Sequence, residues 1–150
     1  MSDDQTAAAG KAPWHLRVVG IAGLLWSSMG AYDYFMTQTR KAEYLANFTP
    51  AQVEYFLGVP GWVVACWAIG VWGGVAGCLL LLLRRRLAVP VLLASLIGAI
   101  LLFTYNYLLS EGLEVMGGGA SALIFPLIIV LIAIGLWWYA RRARAQGLLN

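Results

Sequence analysis

The side chains best suited to chemistry in this 150-residue chain gather at two tyrosine-flanked positions. Asp33 lies between Tyr32 and Tyr34, and Asn106 lies between Tyr105 and Tyr107. Glu111 and Glu114 follow at i and i+3, which puts them on one face wherever that stretch is helical. A carboxylate beside phenol rings can hold a cation or a polar solute, through the hydroxyls and through the negative ring faces. A structural role competes with that one: tyrosines form belts at membrane interfaces, and an Asp or Asn near a helix end caps it or pairs two helices. Both roles fit the residues. Asp33 is the strongest single candidate, because Glu111 and Glu114 can simply face water.

Little else in the chain points to catalysis. One histidine, His15, sits beside Trp14. A lone histidine builds no metal cluster, and no Ser–His–Asp or Cys–His grouping is at hand to activate a nucleophile. Cys66 and Cys78 are twelve residues apart in one apolar run, about 18 Å along a helix, too far to form a disulfide with each other. They read as small buried hydrophobes. The expectation is a protein that is not an enzyme, with no cofactor and no metal.

The elements that must position these residues are four long apolar runs, roughly 16–36, 61–83, 87–109 and 120–140. Each reaches the about 20 residues that a helix needs to cross about 30 Å of hydrocarbon. With 61% hydrophobic and 11% charged residues, the composition lies outside the soluble globular range. What remains between the runs is too short to bury a core of its own. The fold class expected is therefore all-α: a single membrane domain over 1–150, with four transmembrane helices in a compact bundle and lipid as the principal partner.

Charge sets the orientation. The tail before the first run, the connection after the second and the tail after the fourth carry Lys11, Arg17, Arg84, Arg85, Arg86, Arg141, Arg142 and Arg144. The other two connections carry only Arg40 and Lys41, together with Glu43, Glu54, Glu111 and Glu114. An eight-to-two split of Lys and Arg places both tails and the Arg84–Arg86 turn in the cytoplasm of a bacterial inner membrane. The net charge of +3 thus reflects topology and gives no reason to expect nucleic acid as a partner.

Residues 1–12 are small and polar and read as a disordered tail. Lys11 and Arg17, the apolar stretch after them and Ser28-Met29-Gly30 could instead form a secretory signal with a cleavage site. Against cleavage, Gly23, Ser27 and Ala31 recur every fourth residue, the spacing of a packing face that cleavage would discard. No Gly or Pro stands between Gly30 and Pro50, so the first helix is expected to run on through Thr37, Arg40 and Lys41. Thr49-Pro50-Ala51-Gln52 then predicts a capping box and a short helix over Ala51–Leu57, ending at Gly58. Val53, Phe56 and Leu57 share one face of it, which suits a helix lying on the outer interface.

The second run holds two interleaved GxxxG pairs, Gly70 with Gly74 and Gly73 with Gly77. Water does not drive helices together inside hydrocarbon, so close backbone approach must do it. The partners expected for these glycines are Gly23, Ser27 and Ala31 of the first helix and Ala94 and Gly98 of the third, with the second helix central. Pro126 should give the fourth helix a kink or an irregular start, and Gly117–Gly119 should form a flexible outer loop.

Gly30-Ala31-Tyr32-Asp33-Tyr34, Thr37-Gln38-Thr39-Arg40, Phe48-Thr49-Pro50 and Trp67-Ala68 resemble a family of uncharacterised small four-helix membrane proteins of proteobacteria. The resemblance runs from about Trp14 to Leu109 and weakens in the last helix. Members sometimes carry the generic label "sugar transporter", which implies transport but supplies no functional residue. Two function classes follow. One is a small-solute transporter component, for sugar-like or cationic solutes, acting as an oligomer. The other is an accessory or assembly subunit of a larger membrane complex. The chain looks unlike the small multidrug exporters, since Gly20–Met29 holds no acid where those carry a glutamate.

Overall fold

Long apolar stretches without alternating polarity fold as helices throughout: in the computed structural model, which describes residues 11–150, no strand occurs among the described residues. The first ten residues of the expected disordered tail lie outside them. The chain forms α1 (Trp14–Gln38), α2 (Ala42–Leu45), α3 (Pro50–Gly58), α4 (Gly61–Leu82), α5 (Ala88–Thr104), a π-helical turn (Tyr105–Leu109), α6 (Gly112–Val115) and α7 (Ser121–Ala145).

Three helical stretches are long and apolar enough to cross a membrane: Gly61–Leu82, Ala88–Leu109 and Ser121–Ala145. Helix α1 matches α7 in length at 25 residues. It is more polar, because Arg17, Ser27, Ser28 and Asp33 interrupt its apolar run. Its path is nonetheless set by α4. Gly20 lies against Leu82, Gly23 against Cys78, Ser27 against Gly74 and Gly30 against Val71, while the Tyr34 and Trp67 rings stand 5.2 Å apart. The two position numbers in each pair total nearly the same, the signature of antiparallel helices in register along their whole length.

The glycines of α4 are occupied inside this bundle. Gly74 faces Ser27 on one side and Ser95 on the other, and Gly77 faces Leu92. At Gly98 the backbones of α4 and α5 themselves come together: a methyl there would lie 2.7 Å from the Cys66 carbonyl oxygen and 2.9 Å from Gly70 N. Ser95 Oγ donates to the Gly70 carbonyl at 2.6 Å across the same interface. Gly73 also meets Ser95, at 3.2 Å from a methyl it lacks. The small residue facing the glycines is therefore Ser95 and not Ala94, which is exposed. The packing face of α5 follows the i, i+3 step from Ser95 to Gly98, so Ala94 turns outward. Helix α4 packs between α1 and α5, and α5 carries α7, so the middle of the bundle is shared by α4 and α5.

Helix α1 stops earlier than expected. Thr39 N donates to the Phe35 carbonyl and Arg40 adopts a left-handed φ of 54°, turning the chain without a glycine. At the start of α3 the capping box forms as its residues predict: Thr49 Oγ1 accepts from Gln52 N at 3.2 Å, and Thr49 N donates to Gln52 Oε1 at 3.1 Å. Gly117, Gly118 and Gly119 all take positive φ between 69° and 104°, a run only glycine sustains at low cost. Helix α7 continues through Pro126, its sixth residue, which leaves the Ala122 carbonyl without its usual helical donor.

At the arginine-rich end the chain closes on itself. Arg86 N donates to the Asn150 carbonyl and Asn150 N to the Arg84 carbonyl, at 2.8 and 2.6 Å. Arg84 Nε reaches the Leu148 carbonyl at 2.9 Å, and Leu149 is buried among Leu16, Leu81, Ala88 and Ala143. The turn after α4 and the segment after α7 thus form one latched layer.

Candidate functional site

The tyrosine-rich end of the bundle gathers the predicted polar residues, but as two clusters joined by a third element. Asp33 sits in the last two turns of α1 and is half-buried. The left-handed turn at Arg40 folds α2 back over it, so that the Tyr44 hydroxyl donates to Asp33 Oδ1. The edge of the Tyr32 ring packs on Tyr44 with centroids 5.8 Å apart. Burial, reinforced by the neighbouring Asp33 carboxylate, pushes the Tyr44 phenol well above the ordinary tyrosine range. Tyr44 therefore stays a donor, and one oxygen of the carboxylate is committed to it.

Asn106 forms the second cluster. The wide π-helical turn after α5 holds it opposite α3, where its Oδ1 accepts from the Tyr55 hydroxyl at 2.6 Å. That hydroxyl also lies 2.6 Å from Ser110 Oγ, and Ser110 Oγ donates to the Asn106 carbonyl at 3.2 Å. Burial raises the Tyr55 phenol, and the Ser110 contact pulls the other way. Gly112 is required beside this cluster, since a side chain there would collide with the Asn106 carbonyl and the Tyr55 hydroxyl. Gln52, already closing the capping box, donates through Nε2 to the Val115 carbonyl at 3.4 Å and ties α3 to α6.

An aromatic ladder connects the clusters. Tyr44 meets Phe48 at 5.6 Å, Phe48 meets Phe56 at 5.4 Å, and Phe56 adjoins Tyr55 at 6.1 Å between ring centroids. These edge-to-face contacts are the favoured geometry for ring pairs. The remaining predicted residues lie beside the ladder. Tyr34 packs on Trp67, Tyr105 on Trp62 at 5.4 Å, and Tyr107 on Phe103 at 5.1 Å. Glu111 and Glu114 are exposed and join neither cluster.

Tyr44, Phe48, Tyr55 and Ser110 join the site although their residue types and spacing did not mark them as part of it. The available signal was the density of aromatic residues between positions 44 and 56, in a connection otherwise read as interfacial. Chemically, the arrangement pairs each half-buried acceptor, Asp33 and Asn106, with a phenol from the connection between α1 and α4. It clamps that connection over the helix ends. No group of three or more His, Cys, Asp or Glu side chains that could hold a metal occurs among the described residues.

At the arginine-rich end, His15 Nδ1 and the Tyr139 hydroxyl meet at 2.5 Å, so the one histidine bridges α1 and α7. Cys66 and Cys78 are both free thiols, the second fully buried. The chain matches no known family model, no curated protein and no solved structure.

Proposed function

We propose that this is a non-enzymatic integral protein of the bacterial cytoplasmic membrane, crossing it four times with the arginine-rich end inside, and that it serves as an accessory or assembly subunit of a larger membrane complex. The continuous antiparallel register of α1 on α4 supports the fourth span: if α4 crosses the hydrocarbon, α1 lies at the same depth throughout. The Lys and Arg distribution supports the orientation.

The observation that carries the accessory role is the apolar, tightly packed interior. The buried polar side chains among the described residues are Ser27, Thr37 and Ser95, and the Ser95 hydroxyl is spent on the Gly70 carbonyl. A solute or ion crossing a bilayer needs polar groups or water along its path. Asp33 and Asn106, the best candidates for such a path, are bound to phenols in a clamp at one end. Because Gly70, Gly74 and Gly77 are used within the bundle, contact with a partner falls to its outward apolar faces.

Native mass spectrometry of gently extracted protein tests this. A stoichiometric membrane partner is expected, and vesicles reconstituted with the chain alone should show no solute flux. A homo-oligomer with no partner would count against the proposal. So would flux that Asp33→Asn abolishes at unchanged protein level, which would establish transport instead.

A further inference from the structure

Helices α1 and α7 meet at both ends of a lateral groove, and Gly23 against Leu136 forms its floor. Near the arginine-rich end His15 meets Tyr139, and at the middle residue of α1 the Trp26 ring stands 6.1 Å from Phe125. Between these contacts a groove of about 610 Å³ opens sideways, with Val18, Ala22 and Trp26 on one wall and Ile132, Gly135 and Trp138 on the other. Gly135 keeps it open, for a side chain there meets nothing within 4 Å.

Its length and its mouth identify the occupant. From Val18 to Trp26 is eight residues, about 12 Å, which matches the about 15 Å depth of one hydrocarbon leaflet. A helix crossing the whole bilayer would have to displace the Trp26–Phe125 ring pair at the groove's far end. A single chain entering from the arginine-rich side need not. Arg142 stands at that mouth: it follows Trp138 by four residues and so shares its face, with the guanidinium 5.3 Å from the ring centroid. Arg142 is exposed and cationic at the level where headgroups lie. His15, three residues before Val18, faces the same mouth from α1.

Resting on the membrane orientation proposed above, we propose that this groove binds one acyl chain of an anionic phospholipid of the cytoplasmic leaflet, with its phosphate on Arg142 and its tail between Gly135 and Trp26. In lipid, such a tail is held by shape and dispersion, and the headgroup charge selects the lipid class.

Native mass spectrometry of the full chain, extracted into micelles holding equal amounts of phosphatidylglycerol and phosphatidylcholine, tests the site. Wild type should retain phosphatidylglycerol preferentially. Gly135→Leu, whose side chain enters open space, should lower retention about tenfold or more while helicity and melting stay unchanged. Arg142→Gln should still accept a tail and lose about fivefold of the preference for the anionic lipid. Equal retention by Gly135→Leu, or no preference in wild type, would overturn the assignment. Loss of a protein partner from Gly135→Leu would overturn it and uphold the accessory role. A wild type carrying phosphatidylglycerol and no protein partner would uphold the lipid site and overturn the accessory role.

Discussion

Gly98→Ala should be a damaging single-methyl change where α4 packs on α5. The added carbon would sit 2.7 Å from the Cys66 carbonyl oxygen and 2.9 Å from Gly70 N, against about 3.5 Å for an ordinary contact. Both are backbone atoms of α4, so no side-chain rotation relieves the clash and the two helices must part. Overpacking of this kind costs about 1–3 kcal/mol, and loosening the Ser95–Gly70 hydrogen bond adds about 1 kcal/mol. The better helix propensity of alanine returns about 1 kcal/mol. The expected net loss is about 2 kcal/mol. Gly135→Ala is the control: it gains the same propensity and meets nothing within 4 Å, so it should be neutral or slightly stabilising. Thermal unfolding in micelles, followed by circular dichroism, compares the two at equal detergent. A Gly98→Ala protein as stable as wild type, or a Gly135→Ala protein equally weakened, would refute the packing argument.

Three further outcomes follow from the clamp and the latch. Tyr55→Phe removes the hydroxyl shared by Asn106 and Ser110, and should cost about 1 kcal/mol and speed hydrogen exchange in Pro50–Gly58 selectively. Tyr44 has a folded-state pKa raised above that of a free tyrosine, so its contribution is fully present below about pH 10 and is lost as pH rises through the folded value. An alkaline melt should show that loss, and Tyr44→Phe should flatten it; an unchanged alkaline profile in the variant would place the titrating group elsewhere. Leu149→Ala empties a buried position against Leu16, Leu81 and Ala143, and should cost about 2 kcal/mol by thermal unfolding, with any smaller loss than an exposed control such as Leu83→Ala showing that the latch is not formed.

The parts of the fold that depend on composition and on strong local signals were legible in the residues. Long apolar runs produced helices, and Thr49-Pro50-Ala51-Gln52 produced its capping box because both of its hydrogen bonds are local. Gly70, Gly74 and Gly98 marked close approach because only a missing side chain permits it. Ala94 misled because a helix as apolar as α5 has no broad polar side to reveal which way it faces; the one-residue difference from Ser95 decides whether a small residue packs or points out. The clamp stayed hidden because Tyr55 and Asn106 are 51 residues apart and meet only after α3 and the π-helical turn have formed. The closing layer at Leu148–Asn150 offers only backbone groups to Arg84 and Arg86, which no side-chain pattern in that segment announces.

Single-cysteine labelling decides the membrane topology, with Cys66 and Cys78 replaced by alanine. An impermeant thiol reagent applied to intact cells should modify Ala46→Cys and Gly118→Cys at the tyrosine-rich end. Ala145→Cys should react only after the membrane is opened. Modification of Ala145→Cys in intact cells, or protection of both Ala46→Cys and Gly118→Cys, would contradict a four-span protein with its arginines inside.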